Sequence, residues 1–467
     1  MIKQNFDPID RVKPLINIGC LMDVPTGFFI KGVRGENILL GGLGAVTGIG
    51  GSGNLGKTTI TKYMTLSAAD KIFSTTETSI GTYDTEINTH QLRLENLISR
   101  FPNLVKNEII KNGYWNITDK SLYLGEKWFE QLREFLETKK KNKKDLTVTT
   151  PFISNDEVNP IKILVPTFSE VDSFSEFMTS STLKIQHDNE LGESGGNMLH
   201  MRSGLEKLRF MLEAPLLAES AKHYFLLTAQ QGFDSNMQTG PGTPPPVKKL
   251  QHMKPGEKFK GVTDKFYYSL NNCWETMKGT MLINQSTKSA EYPRDSFENN
   301  NPNTDLNVVS LKQLRSKSGP SGYTLEIVYS QEEGVLPTLT ELHYIKDNDR
   351  FGIEGSLQNY ALDLLPSMNL SRTTLRSKID KEAALQRAIN ITSELAQMHH
   401  FYRYMGDDLI TPKELYEGVK KAGYDWDMIL NETRGWWTVN DDNHPLKFLS
   451  TKDLIEIAKG RYTPYWR

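Results

Sequence analysis

The chain has 467 residues, enough for two or three domains and a sizeable core. At 37% hydrophobic, 24% charged and 10% aromatic, its composition excludes a collagen-like, mucin-like or wholly disordered chain. A formal net charge of -2 supplies no bulk attraction to nucleic acid, so any such binding must come from local patches. No apolar run reaches the roughly 18 residues of a membrane span. The first thirty residues carry Asp7, Asp10 and Asp23 in place of a signal peptide's apolar stretch. Cys20 and Cys273, two distant thiols, make neither a disulfide framework nor a zinc site, and suit a reducing compartment such as the cytoplasm.

In chain order, residues 1–47 read as a lead-in with strand-like pieces at 27–30 and 37–40. A buried strand before residue 50, a glycine-rich loop at 50–56 and a helix from Lys57 to about Asp70 follow. Segment 78–86 reads as a strand ending in acids, and helical patterns occupy 90–111 and 124–138. The block Lys139–Lys144 reads as a solvated loop or a DNA-contacting patch. Strands are expected at 161–171, 223–229, 265–271, 306–312 and 323–329, with helices at 172–180 and 197–221. Pro166, Ser169 and Glu170 make the first of these a poor buried strand. Strands alternating with helices imply an α/β core with a largely parallel sheet. The proline-rich stretch 232–260 cannot be a regular element, and 297–304 is a polar loop between strands. Beyond a boundary near 345–375 the chain looks helical. Ser371 to about Tyr404 is one long candidate, and Thr411-Pro412-Lys413-Glu414 matches a capping box. The expected division is 1–47 lead-in, 48–345 core and 346–467 a small, mostly helical C-terminal domain.

The sharpest signal is Gly51-Ser52-Gly53-Asn54-Leu55-Gly56-Lys57-Thr58, followed by Thr59. It fits the phosphate-loop pattern G-x-x-x-x-G-K-[ST]. Glycines let successive N–H groups turn toward phosphate oxygens, and the following helix aims its positive end at the same anion. Lys57 is then a point charge for the β- and γ-phosphates, and the Thr58 hydroxyl a Mg²⁺ ligand. Hydrolysis further needs a group to orient water and a carboxylate to hold the metal. Glu86, in Asp84-Thr85-Glu86, is a candidate for the first task, or a capping acid. Asp172 is a candidate for the second, or a surface acid. The apolar strand His223–Ala229 ends in Gln230 and Gln231, which compete for a position beside the γ-phosphate. Arg372, Arg376 and Lys378 begin either a duplex-binding helix or an ordinary solvated one.

The order phosphate loop, Glu86 strand, Asp172-Ser173 strand, long helix, Gln230 strand and flexible loop resembles the RecA-type ATPase core, over about 16–345. The lead-in's Gly-Gly-Leu element, the Ser194–Ser203 segment at the place of a first DNA-binding loop, and Lys265-Phe266-Tyr267 after the second loop add to the resemblance. The nearest flavour is that of recombinases of large tailed bacteriophages. Gly319-Pro320-Ser321-Gly322 is also similar to an element of DnaB-type replicative helicases, which share this core.

The resemblance implies a RecA-like P-loop ATPase fold binding ATP and Mg²⁺ at the interfaces of a homo-oligomer. Glu86 would be the catalytic glutamate, Asp172 the second nucleotide-binding motif, and Gln230 the residue coupling nucleotide to DNA. Arg315 and Lys317 would reach a neighbouring subunit's ATP, unless they are a solvated hairpin tip. Arg202 and the second-loop residues Phe233, Lys248, Lys249, Lys254, Lys258 and Lys260 would grip single-stranded DNA, with double-stranded DNA as a further partner. The implied function is a DNA-dependent ATPase that forms filaments on single strands and exchanges strands, in the cytoplasm of a cell or of a phage host. A hexameric helicase or translocase and a nucleotide-gated scaffold protein are the alternatives.

Overall fold

A computed structural model describes residues 12–87, 89–188, 196–233, 247–301 and 304–467, with the backbone alone at 186–188 and 196–200. The lead-in forms a hairpin, β1 (Phe28–Lys31) with β2 (Asn37–Leu40). β3 (Val46–Gly51) is buried at all six positions, as a strand covered on both faces must be, and feeds α1 (Lys57–Phe73). Next come β4 (Ile80–Asp84), α2 (Gln91–Ile98), α3 (Pro102–Lys106) and β5 (Trp115–Asp119). α4 (Gly125–Lys141) turns Trp128, Leu132 and Leu136 inward at helical spacing. β6 (Thr147–Ile153) and β7 (Pro160–Leu164) pair apart from the main sheet, and β8 (Thr167–Asp172) returns to it. α5 (Ser180–Asp188) and α6 (Gly196–Ala221) lead to β9 (His223–Phe233), then β10 (Glu257–Phe259), α7 (Asp264–Ser269) and β11 (Asn272–Met281). α8 (Ser296–Asn299), β12 (Leu306–Ser316), β13 (Thr324–Ser330), β14 (Gly334–Val335) and α9 (Pro337–Asp347) complete this part.

The result is a mixed α/β fold on a ten-stranded sheet of order β14-β13-β12-β11-β3-β9-β8-β4-β5, with β10 added along β9. Every pairing from β11 to β5 is parallel, and β12 to β14 add an antiparallel flank. β3 is central, with β9 on one side and β11 on the other. The carboxyl ends of β3, β9, β8 and β4 therefore share one edge, where such sheets bind ligands. One face packs against α1 and the lead-in. The other packs against an aromatic cluster of α4, α6, α7 and the turn after β8 that includes Trp128, Phe174, Phe210 and Phe266.

Several expectations are corrected. β8 is a true central strand, and Glu170 within it is fully buried. Its charge is met by Lys62 of α1, and Thr82 Oγ1 donates to the same carboxylate at 2.8 Å. The Lys265–Leu270 strand is instead helix α7, and the strand begins at Asn272. Phe266 and Tyr267 are buried by the helical turn, and a short apolar run does not reveal its own period. Lys139 is no solvated residue. α4 extends through it, its Nζ donates to Thr167 Oγ1 at 2.8 Å, and burial pulls its pKa down to about 7. The stretch 232–260 is regular at both ends, where 231–233 and 257–259 pair antiparallel. Leu250 and Met253 anchor its later part in the core.

The C-terminal segment starts with a small antiparallel sheet, β15 (Ile353–Gly355), β16 (Tyr360–Leu362) and β17 (Leu365–Leu370), not with helix. The long helical candidate is two helices, α10 (Leu375–Lys381) and α11 (Ala383–Phe401), separated at Glu382, whose backbone is extended. α12 (Pro412–Lys421) carries the capping box at Thr411 and Glu414. α13 (Trp426–Glu432), the short pair β18 (Thr433–Arg434) and β19 (Lys447–Phe448), and α14 (Thr451–Ala458) follow. Arg372, Arg376 and Lys378 do not form a free basic face. Arg376 is buried against Glu298 and Glu333, Arg372 donates to the Ala290 carbonyl and Asn299, and Lys378 to the Asn369 carbonyl. No helix among the described residues is long and apolar enough to cross a membrane.

Candidate nucleotide site

The phosphate loop joins the end of β3 to α1 at the ligand-binding edge. At Gly51 (φ 153°) a Cβ would sit 2.0 Å from Thr276 Oγ1 on β11, so no side chain fits there. Asn54 (φ 57°) and Gly56 (φ 68°) are left-handed, the second as the residue that opens α1. Ser52, Gly53 and Asn54 are exposed, and Leu55 is half-buried. No acid occupies the first turn of α1, so no side chain of the helix itself neutralises its positive end. Lys57 Nζ donates across the loop to the Ser52 carbonyl at 2.5 Å. Burial lowers its pKa, and the negative charges of Asp172 and Glu86 act against that shift.

Sheet order brings the acids to this lysine. Asp172 ends β8, where Oδ2 accepts from Thr58 Oγ1 at 2.7 Å and Oδ1 from Thr228 Oγ1 of β9. Asp84 ends β4 in register with Asp172. Its carboxylate accepts the N–H groups of Glu86, Ile87 and Thr89, each at 2.9 Å, and so shapes the turn that presents Glu86 to solvent. Thr85 ties this turn to the end of β8: its Oγ1 donates to the Ser173 carbonyl at 2.9 Å and accepts the Ser173 N–H at 2.6 Å. Ser173 Oγ accepts from Ser175 N and caps the following turn. Thr59 is buried, and its hydroxyl accepts from Arg93 of α2 at 3.2 Å.

The two glutamines divide. Gln230 is opposite Gly51 and lies on the same face of β9 as Thr228, and its N–H donates to Ser175 Oγ at 2.9 Å. Gln231 points the other way. Its carbonyl accepts from Ser52 Oγ at 2.8 Å, and its amide donates to Glu275 at 2.9 Å and to Glu257. Burial and the neighbouring Glu257 push the Glu275 carboxyl up to about 7. Thus the phosphate loop is wired through Gln231 to β10, the strand that closes the second loop.

The remaining sequence-identified residues lie elsewhere. Arg315 pairs with Cys273, level with Gly48, so it is about 10 Å along the strands and two strands over from Gly51. Its Nε is buried with no hydrogen-bond partner among the described residues. Lys317 donates to the Ser269 carbonyl at 3.4 Å. Burial lowers its pKa, and so do Arg315, Lys265 and Lys13 beside it. Arg315 and Lys317 therefore do not meet Lys57 within one chain. Phe233, 65% exposed, ends β9, and Lys258 is opposite Gly232 on β10. Lys254 and Lys260 are exposed, Lys249 is paired with Asp264, Lys248 donates to the Gln251 carbonyl, and Arg202 is exposed on α6. The stretch Gly240–Pro246 and the start of the Ser194–Ser203 segment lie outside the described residues.

Thr228, Glu257 and Glu275 carry no motif, and only strand order and register bring them to the site. Comparison with known proteins adds little. No protein-family model matches the chain, and no curated protein matches it. Among solved structures, the crystal structure of the RadB recombinase is similar over 63% of this chain and 90% of that one, at 14% identity and a TM-score of 0.31. A likeness that slight leaves the function to be read from the site itself.

Proposed function

We propose that the chain is an ATP- and Mg²⁺-dependent DNA-binding recombinase of the RecA type, assembling on single-stranded DNA as a homo-oligomer and promoting strand exchange. The observation that carries the reading is the Thr58–Asp172 hydrogen bond beside Lys57, with Glu86 held at the adjacent strand end. Thr58 and Asp172 would hold Mg²⁺, Thr58 directly, and the ion would offset phosphate charge. Lys57 and the N–H groups of Gly51–Thr58 bind the phosphates. Glu86 orients the attacking water, while Asp84 keeps Glu86 in place. Arg315 and Lys317, too far from their own Lys57, act on the nucleotide of a neighbouring protomer. The β9–β10 ribbon, with Phe233, Lys254, Lys258 and Lys260, supplies stacking and phosphate contacts to the strand. Its direct link to Ser52 through Gln231 supports coupling between nucleotide and DNA.

The test is ATP hydrolysis by the full chain with and without single-stranded DNA, beside Lys57→Ala and Glu86→Gln. Stimulation by DNA is expected, with a loss of about 100-fold or more in both variants. Electron micrographs should show helical filaments, whereas closed rings would turn the reading toward a helicase. Hydrolysis indifferent to DNA would remove the DNA assignments, and ATP binding without turnover would favour a nucleotide-gated scaffold.

A further inference from the structure

Away from the phosphate loop, Glu326 of β13 meets His343 and Asp347 of α9. The four-residue spacing puts His343 and Asp347 on one face of the helix. His343 Nε2 lies 3.4 Å from Asp347 Oδ2 and 3.7 Å from Glu326 Oε2, and all three ligand atoms fall within 4.8 Å of one another. Good hydrogen bonds are shorter than this. For ligands about 2.1 Å from a zinc-type ion, however, the edge of the tetrahedron is about 3.4 Å. Both separations from the imidazole nitrogen are thus close to that edge, and the carboxylate oxygens lie within 4.8 Å of each other. Charge points the same way. Among the described residues no lysine or arginine comes within ion-pair distance of Glu326 or Asp347, and Lys346 acts on Asp347 only from farther off. The imidazole is largely covered, with 16% of its side chain exposed, while the carboxylates, at 52% and 56%, face solvent and have room to close on an ion.

We propose that Glu326, His343 and Asp347 bind one divalent transition cation of the zinc type, with water as fourth ligand. One nitrogen and two carboxylate oxygens suit such an ion better than Mg²⁺, which prefers an all-oxygen octahedron. Asp347 is the last residue of α9, and the chain then enters β15. The ion therefore fastens the outgoing chain to the antiparallel flank of the sheet, a structural role separate from the nucleotide site.

The experiment titrates the chelator-treated full chain with Co²⁺ and then Zn²⁺, in excess Mg²⁺ so that the Thr58–Asp172 position is filled. The expected result is one Co²⁺ per chain with the visible absorption of a tetrahedral site, displaced by Zn²⁺. His343→Ala and Asp347→Asn should each weaken binding by about tenfold or more and abolish the Zn²⁺-induced rise in melting temperature. Absence of stoichiometric binding, or binding that both variants retain, would overturn the proposal.

Discussion

Gln230 and Gln231 are adjacent in sequence and opposite in orientation, because successive side chains of a strand point to opposite faces. Gln231 supplies the single amide shared by Glu257 and Glu275 and also receives the Ser52 hydroxyl. Gln231→Met is expected to lower stability by about 1–3 kcal/mol, since it leaves buried carboxyl groups with one donor fewer. Gln230→Ala removes no such bond and should leave the denaturation midpoint nearly unchanged while reducing DNA stimulation of ATP turnover. Urea unfolding and ATPase assays on both variants separate the two roles, and a reversed outcome would reassign them. At this scale Lys57, Thr58, Glu86 and Asp172 could be named as candidates from the sequence, because each sits at a recognisable spacing or close to a strand end. Thr228, Glu257 and Glu275 could not. Glu275 reaches the site only because β11 pairs with β3 and puts it opposite Gly50.

β8 shows how an element can defy its composition. Read alone, Ser169 and Glu170 argue against a buried strand, yet all but the last of its six residues are buried. The missing fact is Lys62, more than a hundred residues earlier, whose ammonium group meets Glu170 with Thr82 alongside. Lys62→Met should cost about 3–5 kcal/mol, because it strands a buried carboxylate. The double variant Lys62→Met with Glu170→Leu should recover most of that loss, as measured by chemical denaturation. A double variant no better than the single would show that the pair does more than neutralise itself. The α7 turn teaches the converse lesson. Its aromatic residues suit either a strand or a helix, and packing of Phe266 against Phe174 and Phe259 decides the matter.

At the scale of the whole molecule, the C-terminal segment is sewn to the beginning of the chain and to β6. Trp437 is buried, and its indole donates to the Leu15 carbonyl at 3.0 Å. Asp453 accepts the Asn37 N–H at 2.8 Å, the Tyr402 hydroxyl donates to the Val24 and Gly27 carbonyls, and Asn440 N donates to the Thr149 carbonyl at 2.7 Å. Val308 and Val328 of the sheet share a core with Leu385, Ile389 and Leu454. A chain truncated after Asp347 would expose that core and leave Asn37 and several lead-in carbonyls without these partners. It is expected to be insoluble or to lose cooperative unfolding, as circular dichroism and size-exclusion chromatography would register. A truncated chain that folds cooperatively would instead show that residues 1–347 fold without the C-terminal segment.

The amino-acid sequence by itself determined the phosphate loop, the alternation of strands and helices, the capping box at Thr411 and the acids at the ends of two strands, Asp84 and Asp172. These are local properties, written in spacings of a few residues. Tertiary structure decided which strands are neighbours, which charges could be buried and where the last hundred residues go. Lys139, Glu170 and Arg376 read as surface charges in any short window. Their burial depends on partners supplied by distant segments, and no local pattern encodes a partner that folding alone brings near.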